Sequence, residues 1–118
     1  MRWPLVFYTD ALQEWQAGCA NGPVIRIRPA YKGDEGLYQH ELTHVKQWVL
    51  TLGMHPLLYL TVRRYRQWAE ATAYREQMRY PDAKGGSLSL DNAAARLAGP
   101  GYSLGITVEQ ARNILQHS

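Results

Sequence analysis

The amino-acid sequence predicts an α+β fold. A small sheet with an edge strand lies over one long helix, followed by a second long helix and two short C-terminal helices. Three observations carry this. Val24-Ile25-Arg26-Ile27-Arg28 is β-branched and alternates apolar with charged residues, the period-two pattern of a half-buried strand. Glu35 to Leu50 follows a capping Asp34 and repeats its apolar residues at helical spacing. Most of the remainder reads as helix punctuated by Gly and Pro, and 118 residues, taken as a single domain over 1–118, hold one modest core.

Taken in order, Leu5-Val6-Phe7-Tyr8 reads as a short strand and Ala11 to Ala17 as a helical turn. Asn21-Gly22-Pro23 starts the Val24–Arg28 strand and Pro29 stops it; prolines at both margins and outward arginines mark it as an edge. In the helix from Glu35, Tyr38, Leu42, Val45 and Val49 form one apolar stripe, with His40, His44 and Trp48 on an adjoining face. Gly53 ends that helix, and Pro56 opens another that runs to about Arg79. Pro81 to Ser87 is a loop. Leu90 to Ala98 is an Ala-rich helix broken by Gly99-Pro100-Gly101. Thr107 and Gln110 form a capping box for a last helix, Val108 to Gln116.

Composition narrows the function classes. Hydrophobic residues make up 46% and charged residues 19%, which is globular rather than disordered. Thirteen Lys and Arg against ten Asp and Glu give a formal charge of +3, and only Arg63, Arg64 and Arg66 are bunched. They read as a solvated helix face, so nucleic acid is not the expected partner. Cys19 is the only cysteine, which fits a reducing, cytoplasmic setting, and no N-terminal signal peptide is expected. The run Gln47 to Val62 lacks formal charge but is too short and interrupted to span a bilayer. Four Trp and eight Tyr against one Phe suit a core that borders a wet cleft.

The chemistry is carried by His40-Glu41-Leu42-Thr43-His44. Histidines four apart on a helix lie about 40° apart around its axis, so both rings can converge on one zinc ion. Glu41 falls about 60° further round, where a general base can take a proton from the attacking water. A catalytic zinc needs a third protein ligand. The continuation H-x-x-G-x-x-H is absent, since Gln47 and Leu50 occupy its Gly and His positions. A Glu on the following helix is the remaining route. Glu70, among Ala69, Ala71 and Ala73, is the best placed, because small residues let two helices approach; Glu76 and Asp91 are the alternatives. Against this stands a solvent-face pair of Glu70 with Arg66.

His40 to Trp48 together with Ala69-Glu70-Ala71-Thr72-Ala73-Tyr74 resembles the gluzincin clan of zinc metallopeptidases. It is most similar to the very small minigluzincins and to metallopeptidase-like proteins of phages and prophages. The resemblance covers roughly Val24 to Tyr74. It implies a minimal zincin-like fold with Zn²⁺ held by His40, His44 and Glu70, and with Glu41 as base and acid. Tyr74 stands where larger gluzincins carry an Asp, and no downstream His of those enzymes has a clear match.

Tyr74, one turn after Glu70, is a candidate to donate its hydroxyl to a carboxylate or an oxyanion, against a plain core tyrosine. Tyr102 between glycines is expected in a turn, His55 as a cap or surface residue, Trp48 as packing, and Cys19 as a buried thiol. The expected function is zinc-dependent peptide hydrolysis, with the peptide added as a strand along Val24, Ile25, Arg26, Ile27 and Arg28. The alternative is a non-catalytic, zinc-stabilised structural or assembly module.

Overall fold

The computed structural model describes residues 4–116. Three strands, β1 (Leu5–Tyr8), β2 (Gly18–Asn21) and β3 (Val24–Ile27), precede five helices. These are α1 (Glu35–Leu50), α2 (His55–Thr61), α3 (Arg63–Gln77), α4 (Leu90–Leu97) and α5 (Val108–Gln116). The fold is α+β as expected, and the strand order is β1-β3-β2.

That order corrects the placement of Val24–Arg28. β3 is the central strand, parallel to β1 (Leu5 against Val24) and antiparallel to β2 (Gly18 against Ile27). The edge is supplied by β2, whose Gly-Cys-Ala-Asn sequence lacks β-branched residues and so carries little strand signal. A two-residue turn, Gly22-Pro23, joins β2 to β3, with Gly22 at φ 58° as a tight reversal requires. Arg26 and Arg28 do not point idly into solvent. The Arg28 guanidinium donates to the carbonyls of Gln16 (2.6 Å) and Gln13 (2.7 Å), and Arg26 to Asn21 Oδ1 (2.9 Å). These bonds hold residues 11–17 as irregular chain where a helical turn was expected.

The molecule is layered. Ile25 and Ile27 of β3 pack with Leu37 and Val45 of α1 as one apolar cluster, which Tyr38 and Leu42 flank. Val49, expected in that stripe, is half exposed, because α1 runs past the end of a four-residue sheet. A second cluster joins Ala71 and Tyr74 of α3 to Ala93, Ala94 and Leu97 of α4, Leu104, and Ala111 and Leu115 of α5. α1 and α3 pack against each other between the two clusters. The expected helix from Pro56 to Arg79 is broken at Val62, which is extended (φ −115°, ψ 102°). The caps fall as read: Asp34 accepts from the Leu37 amide (2.8 Å), and Thr107 and Gln110 bond reciprocally.

Candidate metal centre

α1 presents His40 and His44 one turn apart, with ring centroids separated by 5.1 Å. α3 brings Glu70 against both. Its Oε1 lies 3.1 Å from His40 Nε2 and 3.2 Å from His44 Nε2. One ligand atom from each of the three lies within 4.8 Å of the others, and all three residues are buried. Glu76 and Asp91, the alternatives, are elsewhere: Glu76 pairs with Arg79 and Asp91 with Arg112. Arg66 does not pair with Glu70. Its guanidinium donates to the carbonyls of Tyr102 (2.7 Å) and Tyr59 (2.8 Å).

Gln47 fixes the tautomer of His44. The Gln47 amide nitrogen donates to the Ala69 carbonyl (3.1 Å), so Oε1 is the atom facing His44 Nδ1 at 2.9 Å. An acceptor there assigns the ring proton to Nδ1, which leaves the Nε2 lone pair aimed at Glu70 Oε1. A lone pair and a carboxylate oxygen at that distance repel unless a proton or a metal ion lies between them. Two donors bound at zinc distances to one tetrahedral ion stand about 3.3 Å apart, close to the two nitrogen–oxygen separations here. Two imidazoles and one carboxylate form the donor set of a catalytic zinc, so the residues fit the ion.

The electrostatics agree. Burial opposes charge on His44, but the adjacent Glu70 carboxylate overrides it and lifts the pKa to about 9. Burial likewise opposes ionisation of Glu70, yet His44 and His40 hold its carboxyl well below the usual carboxylate range. Tyr59 adds a hydroxyl that donates to Glu70 Oε2 at 2.5 Å. Burial pushes Tyr59 far above the usual phenol range, so this hydroxyl stays a donor. Cations and donors therefore collect around one carboxylate.

Glu41 borders the same cleft and has no hydrogen-bond partner among the described residues. Burial raises its pKa, with His40 and His44 pulling the other way, so it accepts a proton more readily than a surface carboxylate. Gly18 makes the room: a Cβ there would stand 3.4 Å from Glu41 Oε2 and 3.0 Å from the Arg26 carbonyl. The cleft has a volume of about 710 Å³ and is bordered by Gly18 to Asn21 of β2, by His55 and Tyr59, and by Tyr102.

The other candidates fall as follows. Of the Val24–Arg28 strand, Arg26 alone reaches the cleft. The Tyr74 ring packs on His40 (centroids 4.4 Å), and its hydroxyl bonds that of Tyr102 (2.6 Å) rather than His44 or Glu70. Tyr102 reaches the cleft instead of merely turning the chain. His55 is a buried wall of the cleft, not a surface cap. It bonds Tyr65 through Nδ1 (2.7 Å), and burial lowers its pKa to about 4. Cys19 is half-buried on β2, with its thiol on Asn21. Trp48 packs beneath Gly22. Gln47 and Tyr59 carried only faint signals: the i+3 spacing from His44, and a tyrosine within a leucine run. No family model, curated protein or solved structure matches this chain.

Proposed function

We propose that this chain is a zinc-dependent peptidase of the gluzincin type. The observation that carries the reading is the Gln47–His44–Glu70 chain of contacts. It sets His44 Nε2 against a carboxylate across a gap that a proton or a metal ion must fill, beside a buried, unpartnered Glu41. His40, His44 and Glu70 would hold the ion, which supplies Lewis acidity toward a peptide carbonyl and an attacking water. Glu41 takes the water's proton as the new carbon–oxygen bond forms, then passes it to the amine nitrogen as the carbon–nitrogen bond breaks. Tyr102 and His55 border the space in which a peptide would lie, and β2 offers an edge for an added strand. The lone thiol of Cys19 suits a reducing cytoplasm.

The test is Glu41→Gln. The amide keeps the side chain's size but cannot take the proton. Zinc content and melting temperature should match wild type, and hydrolysis of a peptide that wild type cleaves should fall by about 10²–10⁴-fold. Equal, chelator-sensitive turnover by both proteins refutes the mechanism.

A second reading has its own support. The three ligands tie α1 to α3, so an ion there also braces the fold. Zinc bound by both proteins with no turnover by either selects a structural or phage-type assembly module.

A further inference from the structure

The end of the molecule where α1 stops and α2 and α3 begin carries an apolar surface that no described residue covers. Leu52 is 92% exposed, Leu50 and Leu60 are 77% exposed, and Leu57 and Met54 are about half exposed. Scattered apolar side chains are ordinary on a surface; five within eleven residues are not. Leu52 sits at φ 54°, a conformation that disfavours leucine, at the tip of the α1–α2 corner. The surface is thus a convex knuckle rather than a groove.

The segment that carries it is positively charged. No Asp or Glu occurs between Glu41 and Glu70, while Lys46, Arg63, Arg64 and Arg66 fall in that stretch. Arg66 and Arg63 donate to backbone carbonyls, but Lys46 and Arg64 are exposed. Each stands one helical turn before an exposed apolar residue on its own helix, Lys46 before Leu50 and Arg64 before Trp68. We propose that this knuckle docks on an anionic lipid surface, with the leucines entering the headgroup–acyl boundary and Lys46 and Arg64 meeting lipid phosphates. A second copy suits it poorly, because a two-fold interface brings the same cations together and residues 42–69 supply no carboxylate to neutralise them. The surface runs into the cleft, since Leu60 belongs to both. A docked molecule would face substrates lying at the bilayer. No described helix is long and apolar enough to cross it, so docking is peripheral.

The proposal does not depend on zinc or hydrolysis. The test is flotation of the 118-residue chain with phosphatidylcholine vesicles, with or without phosphatidylglycerol. Binding to the anionic vesicles should exceed binding to the neutral ones by about tenfold or more and weaken with salt. Leu50→Ser with Leu52→Ser and Leu57→Ser should reduce it by about tenfold or more. Circular dichroism verifies the fold, and Leu52→Ser alone serves if the triple variant unfolds. Lys46→Glu with Arg64→Glu should abolish the preference for anionic vesicles. Absence of flotation, or flotation indifferent to the serine variants, overturns the proposal. So does a dimer in sedimentation that the serine variants dissolve while vesicles bind nothing; the face then belongs to a second copy.

Discussion

Gln47 determines how the candidate centre is wired. Removing its side-chain amide as Gln47→Ala frees the His44 ring to turn and leaves the Ala69 carbonyl without its donor. Zinc affinity should fall by about 10–100-fold, the usual cost of deleting a group that orients a ligand. Competition with a chromophoric chelator measures it. Gln47→Glu keeps an acceptor for Nδ1 and should retain more affinity than the alanine variant; equal losses in the two would remove Gln47 from its orienting role. His40 has no such partner. Its Nδ1 is buried without a hydrogen bond among the described residues, so the two histidines are unequally held. At this scale the sequence was legible where spacing alone decides geometry, as for His40, Glu41 and His44. Gln47 and Tyr59 were illegible because their roles depend on Ala69 and Glu70, which reach them only through the packing of α3.

Among the elements, Gly36 in the first turn of α1 marks a close approach to the end of α3. A Cβ there would stand 2.8 Å from the backbone carbonyl of Gln77, at the end of α3. Alanine favours helix over glycine by about 1 kcal/mol in isolation. Gly36→Ala should nonetheless destabilise the protein by about 1–3 kcal/mol, because the two helices must part. Chemical denaturation measures it, and a rise in stability would show that the contact relaxes freely. Helix limits were readable from local chemistry, as at Asp34, Thr107 and Gln110. The break at Val62 was not, since no Gly or Pro marks it. The carbonyl of Tyr59 just before the break is instead tied back by Arg66 from α3. The sheet order was hidden for a related reason. β3 is central because β2 pairs through its backbone, which a short Gly-Cys-Ala-Asn segment does not advertise.

For the whole molecule, a proton and any metal ion held by His40, His44 and Glu70 would compete for one place. In the metal-free protein the His44 pKa is raised from 6.5 to about 9. Its proton therefore stabilises the fold fully below about pH 6.5, and that stability, on the order of 3 kcal/mol, is lost as pH rises through 9. A metal ion takes over the proton's role, so the drop in Tm on chelation should widen from pH 6.5 to 9. A drop that is constant across that range would contradict the shared position. Leu104, Ala111 and Leu115 are core residues, so a chain ending at Ala98 should fail to give a cooperative melt. A folded truncation by circular dichroism would show otherwise.

The two apolar clusters meet across α1 and α3, and their seam holds His40, His44, Gln47, Glu70 and Gln77, all buried. Polar side chains make a poor adhesive between cores unless their partners are all in place. An ion held there would act as the coupling between two otherwise separable folding units. With it bound, amides of the sheet layer and of the α3–α5 layer should exchange with solvent at one common, slow rate. Once it is stripped, the layers should exchange independently, each at the pace set by its own cluster.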